Sequence, residues 1–357
     1  MGFNFPATPT VGQVFNNWTW DGEKWQIGGA PNVPEAPTDG FLYGRKSSTW
    51  SRVEDGANFT GALSVTPAAN ALTIVVMHMS GVVPSPANPV FYRVPHPAGG
   101  YLIRAITAPL SVTIPAGATL GTISNVPFRI WVAIFDDNGT PRLAVRNNLN
   151  WATLGTYLLR YPEHMAATIE TPPGNNPASF YGNVAAPNKF WTWVGWFAWE
   201  QGLATMGMWN IGPNGICATL LDGMSRPGDM IFMRAHRGLV SPTSNVVTLT
   251  DSTLGQTWNS WSAVDPVEVT VQQCYVYLRT GATHGQGQVM IRRGSTALVS
   301  SSVYSALTGD LIAGATLSVL DFPGTTASVD YKFSYQNVQA LMIQYNASGM
   351  ICKEYMA

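Results

Sequence analysis

The sequence predicts an all-β protein, with antiparallel β-sandwich domains preceded by a short, hairpin-rich N-terminal segment. Three observations carry that prediction. The 35 glycines and 25 prolines are spread along the chain, and between them lie short runs rich in Val, Ile, Thr, Tyr, Phe and Trp, the spacing of strands separated by turns. Convincing amphipathic helices are absent. In RIWVAIFDDNGTPRLAVRN, two β-branched and aromatic runs, Arg129 to Phe135 and Arg142 to Val145, flank Asn138-Gly139, a dipeptide that accepts positive φ and closes a hairpin.

Three regions follow in order. Residues 1–55 hold two related motifs and are too short and too rich in Pro and Gly for a core of their own. In the first, FPATPTVGQVFNNWTWDGEKW, Trp18 and Trp20 share a face by the two-residue period, Asp21-Gly22 makes the turn, and Trp25 returns. The second, APTDGFLYGRKSSTW, repeats P-T-x-G-x-x-aromatic and ends on Trp50. An isolated hairpin of this size is marginal in water. Large rings buried against another surface would change that, so the segment is expected to fold against a partner.

Residues 56–245 are expected to form a large β domain, with YPEHMAATIETPPGNNPASFYGN as surface loops. Residues 246–357 read as a C-terminal β-sandwich, from runs at Val267 to Thr280, Gly287 to Val303, Ala315 to Phe322, Ala327 to Asn337 and Gln339 to Ser348. The stretch Ser241 to Pro266 reads as a connector or a first strand.

Charged residues make up only 11% of the 357-residue chain and the net charge is −1, so no nucleic-acid partner is expected. Apolar runs such as Ala71 to Met77 are too short to cross a membrane as a helix, so no membrane insertion is expected. With so few charges, apolar surface is expected to be hidden in an oligomer. The opening MGFNFPATPT has neither the basic start nor the apolar run of a signal peptide, and synthesis in a cytoplasm is the expectation. Cys217, Cys274 and Cys352 stand far apart and read as buried thiols. His78, His96, His164, His236 and His284 have no ligand spacing, so neither metal nor cofactor is expected.

Pro9, Gly12, Val14, Phe15, Trp18, Trp20, Asp21, Gly22, Lys24 and Trp25, then Pro37, Asp39, Gly40, Tyr43, Gly44, Arg45 and Trp50, resemble the short N-terminal modules that head many tailed-bacteriophage structural proteins, tail fibres and related appendages. The stretch SVTIPAGATLGTISNVPFRIWVAIFDDNGTPRLAVRN, with Trp199 to Trp209 and Arg226 to Met230, is similar to a β domain recurrent in phage virion proteins. The resemblance implies a virion component, homotrimeric, mounted by its N-terminus and presenting β domains for host attachment. Trp18, Trp20, Asp21, Gly22, Trp25, Tyr43, Arg45 and Trp50 would then form the attachment interface to other virion proteins, with host surface glycan or protein as the receptor. There is no long shaft and no collagen-like repeat, which favours a short fibre or spike.

A capsid or neck decoration protein without receptor binding is the alternative. A polysaccharide depolymerase is a further one, since two carboxylates can be brought together from any two strands. Its candidates are Asp136, Asp137, Glu163, Glu170 and Glu200. No catalytic motif is present, and no enzyme is expected. In KFWTWVGWFAWE, strict alternation puts Trp191, Trp193, Phe197 and Trp199 on one face and Phe190, Val194, Trp196 and Ala198 on the other. Both faces are apolar, so the strand is either core or a candidate subunit interface, with a saccharide platform as the functional alternative. The loops from Tyr161 to Asn183 and Ala282 to Gln288 are the expected places of receptor contact.

Overall fold

The computed structural model describes residues 4–27, 43–46, 49–52, 58–147, 165–171, 175–176, 179–237, 250–278, 285–305, 312–337, 343–346 and 349–357. Glu163, His164 and His284 lie outside them, as do residues 161–164, 172–174, 177–178 and 282–284 of the expected receptor loops. The chain divides into two compact units, Met1–Gly56 and Ala57–Ala357.

In the first unit, β1 (Val14–Phe15), β2 (Trp18–Trp20) and β3 (Trp25–Ile27) form an antiparallel sheet in that order. Asn16 and Asn17, at φ 47 and 66, make a two-residue turn that pairs Phe15 with Trp18. Asparagine tolerates this left-handed backbone, and its twist suits a hairpin. A second hairpin joins β4 (Tyr43–Lys46) to β5 (Thr49–Arg52), with Arg45 opposite Trp50.

The second unit begins with β6 (Gly61–Ala68) and β7 (Ala71–His78), a hairpin turned by Ala69 and Asn70, both at positive φ. Next come the hairpin of β8 (Val90–Pro95) and β9 (Tyr101–Ile106), and β10 (Ser111–Ile114), which pairs with β7. A seven-stranded sheet follows from β11 (Phe128–Asp137), β12 (Thr140–Asn147), β13 (Ala167–Glu170), β14 (Phe180–Gly182), β15 (Ala186–Lys189), β16 (Trp191–Trp199) and β17 (Gly215–Cys217). Its order is β15-β13-β14-β12-β11-β16-β17. All its pairs are antiparallel except β13 with β14. The Asn138-Gly139 turn joins β11 and β12 as the sequence predicts, both residues at positive φ.

One face of this sheet, through Phe128, Ile130, Val132, Ile134, Leu143 and Val145, packs on Leu72, Ile74, Val76, Val90, Tyr92 and Val112 of the preceding strands. The opposite face carries Trp131, Phe135, Phe180, Trp191 and Trp193 and is covered in part by Val264, Met356 and Ala357. A sheet apolar on both faces must lie in the middle of a layered structure.

The remaining strands are β18 (Met230–Arg237), β19 (Thr250–Trp258), β20 (Val267–Leu278), β21 (Gly285–Arg293), β22 (Thr296–Ser305), β23 (Ile312–Asp321), β24 (Val329–Asn337), β25 (Ile343–Asn346) and β26 (Gly349–Tyr355). One sheet runs β18-β26-β20-β23, with β25 also on β20, and the facing sheet runs β19-β24-β21-β22. Val267, Val269, Val271, Met350 and Cys352 of one meet Leu254, Trp258, Val289, Ile291, Tyr331 and Phe333 of the other.

Four expectations change in detail. The stretch from Tyr161 to Asn183, expected as surface loops, contributes β13 and β14 to the seven-stranded sheet. Ala167, Ile169, Phe180 and Tyr181 are buried there because alternate residues turn into the packed layers on its two faces, and residues 285–288 of the second expected loop belong to β21. The run from Gly287 to Val303 is a hairpin, because Gly294 at φ 55 reverses the chain. Strand β18 precedes residue 246 yet pairs with β26, so by hydrogen bonding it belongs to the C-terminal sheet. Strict alternation fails in β16, where the register against β11 shifts between Val132 and Ala133 and leaves Val194 as an extra residue. Beyond that bulge the faces exchange: Trp191, Trp193, Trp196 and Ala198 share one cluster, while Val194, Phe197 and Trp199 share the other.

Candidate functional site

The N-terminal sheet gathers five rings. Phe5 stacks on Trp25 with centroids 5.1 Å apart and meets Trp18 edge-on at 5.5 Å, while Trp20 lies 5.6 Å from Trp25. Phe15 completes the group, 5.8 Å from Phe5. The rings come together because Trp18 and Trp20 alternate onto one face, and because Trp20 is in register with Trp25. That register is set by the turn. Asp21 Oδ1 accepts the main-chain N–H groups of Glu23 at 2.9 Å and Lys24 at 2.8 Å, its Oδ2 accepts from Gln26 at 2.6 Å, and Gly22 takes φ 115. The Lys24 and Glu23 amides hold the Asp21 carboxyl below its usual range. All five rings remain half-buried. Phe5 was not singled out by the motif; it is an aromatic set apart from the repeat, with no periodic link to it. The side chains of Tyr43, Arg45 and Trp50 lie outside the described residues.

The aromatic strand is a core element. Trp191, Trp193, Phe197 and Trp199 are fully buried within the chain and Trp196 is 9% exposed. These rings pack in the chain's own two clusters, so the strand takes the core alternative of the sequence reading. Trp191, Trp193, Phe197 and Trp199 have no face left for a subunit interface or a saccharide platform, while Trp196 keeps an edge toward a cavity. Gly195 is required there: a Cβ would collide with the Cys217 carbonyl and stand 2.6 Å from Leu63.

Among the described candidate carboxylates, Asp136, Asp137 and Glu200 each engage partners of their own. Asp136 accepts from Arg104 at 3.2 Å and from the Gly139 amide at 3.0 Å. Asp137 binds Lys189 at 3.0 Å and Arg142 at 3.3 Å, and these cations, Lys189 foremost, keep its carboxyl below the usual range. Glu200 reaches elsewhere. Its two oxygens accept the Ser262 hydroxyl and the Ala263 amide, each at 2.6 Å.

That contact opens onto a buried polar junction that sequence reasoning missed. The loop after β19, Asn259 to Pro266, is held by three carboxylates. Glu200 binds it as described, Glu354 Oε1 accepts the Trp261 amide at 2.7 Å, and Asp265 within the loop pairs with Arg129 at 2.8 Å. The Ala357 amide donates to Asp265 at 3.0 Å, and the Ala357 oxygen accepts from Arg129 and from the Trp131 indole. The Arg129 guanidinium lies 4.6 Å over the Trp196 ring. Burial pushes the Asp265 carboxyl up, with Arg129 pulling it back. Burial, with Asp265 adding to it, raises Glu354 to about 7. The signal for Glu354 is the M-x-C-x-E-x-M alternation of β26, which places it on the inward face with Met350 and Cys352.

Beside Glu354 is a cavity of about 590 Å³, walled by Trp196, Leu220, Met224, Ile231, Phe232, Trp261 and Met356. Among the described residues, no cluster of His, Cys, Asp and Glu could hold a metal ion, and no helix is long and apolar enough to cross a membrane.

The architecture defines an all-β protein of antiparallel sheets packed in layers. No protein family matches the sequence, and no curated protein does. Solved structures align over much of it at low similarity. T=1 particles derived from infectious bursal virus give 10% identity over 84% of this chain and 69% of that one, at a TM-score of 0.25. The infectious bursal disease virus VP2 subviral particle gives 10% over 84% and 71%, at 0.20. Delta-endotoxin Cry8Ea1 of Bacillus thuringiensis gives 7% over 84% and 53%, at 0.22. Likenesses of this size carry no argument about this chain.

Proposed function

We propose that the chain is a structural component of a virus particle, a short fibre- or spike-like appendage of a tailed bacteriophage. Residues 1–55 mount it on other virion proteins, its β domains face the host surface, and three copies assemble. The observation that carries this reading is the N-terminal aromatic sheet. Phe5, Phe15, Trp18, Trp20 and Trp25 collect on one small sheet and stay half-buried. Large aromatic rings held in fixed geometry with area still to bury are the residues in which binding energy concentrates at interfaces. The motif that builds the sheet is the one that resembles phage attachment modules. Adhesion then needs no single strong site, since weak contacts multiply across copies.

Deleting residues 1–56 tests the reading. Particles assembled with the truncated chain are expected to lack it, while the remaining chain keeps its far-ultraviolet β signature. Normal incorporation would overturn the attachment role.

A further inference from the structure

The cavity beside Glu354 is not explained by an attachment role. Its volume, about 590 Å³, falls within the roughly 300 to 1,000 Å³ of small-molecule sites. Its wall is apolar apart from Glu354, Asn259 and Ser225. Its mouth carries aromatic side chains that folding leaves in water: Trp261 is 65% and Phe232 52% exposed. An exposed tryptophan at the lip of an apolar cavity is a recurring mark of a binding surface.

The electrostatics select the ligand. Glu354 is 1% exposed and its oxygen accepts the Trp261 main-chain amide, which fixes the backbone of Trp261 beside the carboxylate while its indole stays exposed. Behind it stand Asp265 and Glu200, whose charges add to one another. One guanidinium, Arg129, is paired with Asp265 and packs on Trp196. At the rim, Arg226 turns its guanidinium onto the carbonyls of Leu221 and Met224. Three carboxyl groups, Glu354, Asp265 and Glu200, thus stand against two guanidiniums, Arg129 and Arg226, beside an apolar wall of low dielectric constant. Burial keeps Glu354 partly protonated near neutral pH, and a positive charge entering the cavity would favour its ionised form, with ring faces attracting cations in addition.

We infer that this cavity binds an organic ammonium: an apolar body seated against Trp196, Ile231 and Met356, with its cationic head between Glu354 and the Trp261 ring. The assignment is independent of the virion reading. The ammonium can be free in solution or carried on a lipid headgroup, and the chemistry of recognition is the same.

The test uses the full chain, with benzyltrimethylammonium and its neutral carbon isostere neopentylbenzene as probes, read by saturation-transfer NMR. The cation is expected to bind at least tenfold tighter than the isostere. Trp261→Ala, at an exposed side chain, and Glu354→Gln are each expected to weaken it fivefold or more, with folding checked by circular dichroism. Equal binding of the isostere, unchanged binding in a folded Trp261→Ala chain, or no binding at millimolar probe would overturn the assignment. Phosphatidylcholine vesicles that displace the probe assign the site to a headgroup; vesicles that leave it bound assign it to a free ammonium.

Discussion

Arg129 on β11 donates to Asp265 across 2.8 Å, with neither side chain exposed to solvent. The two stand 136 positions apart in sequence, and their contact ties the seven-stranded sheet to the loop that leads into β20. Asp265 also receives the Ala357 amide, so one carboxylate links two segments to Arg129. A buried pair of this kind is weak evidence of stability in itself, because desolvation offsets most of the attraction. Its asymmetry is the consequence: losing one partner strands the other.

Arg129→Met is therefore expected to destabilise the chain by about 3 to 5 kcal/mol in urea unfolding. The double variant Arg129→Met/Asp265→Leu is expected to recover a large part of that loss. A single variant as stable as the parent would show that the charge is hydrated and not buried.

Glu354 makes stability depend on pH with an unusual sign. Its ordinary value is 4.5 and the folded chain raises it to about 7, so between these values the folded state holds a proton that the unfolded state releases. Stability from this group is full below about 4.5, falls as pH rises, and is lost above about 7, by on the order of 3 kcal/mol. Glu354→Gln is expected to remove this slope, read as the difference between the two unfolding profiles from pH 4 to 8. Parallel profiles would exclude a raised carboxyl.

Gly195 stands where the bulged β16 passes between Leu63 and the Cys217 carbonyl. Gly195→Ala is expected to cost about 1 to 3 kcal/mol by overpacking, whereas Gly139→Ala, in an open turn at φ 94, is expected to cost about 1 kcal/mol from backbone strain alone. Thermal unfolding compares the two, and an equal or reversed order would contradict the packing account.

In the N-terminal sheet, Phe5→Ala removes the ring on which Trp25 stacks. It is expected to alter the near-ultraviolet dichroism of the tryptophans and to lower occupancy on particles. Trp20→Ala and Trp25→Ala are each expected to weaken attachment by about 2 to 4 kcal/mol. Unchanged occupancy in all three would dismiss the cluster as an anchor.

Assembly is tested by the mass of the full chain in solution by light scattering. Three times 38.5 kDa is the expected outcome. A monomer would mean that any oligomer is imposed by the particle.

What the sequence determined by itself is local. The Asn138-Gly139 hairpin, the spacing of strands and turns and the pairing of tryptophans about Asp21-Gly22 follow from backbone preference and two-residue alternation, both of which act over a few neighbours. Tertiary structure decided the rest. The inward face of β16 depended on a bulge, and a bulge is a relation between two strands that neither states alone. Phe5 joined the tryptophans, and Glu200, Asp265 and Glu354 met around one loop, only because the chain folded back over long separations. The burial of Glu354 was legible only faintly, in the alternation of β26, since a carboxylate on an inward face looks like a surface residue until something is packed over it. Local rules set which residues form strands, whereas the charge at the junction and the cavity beside it arise from which strands the fold lays against one another.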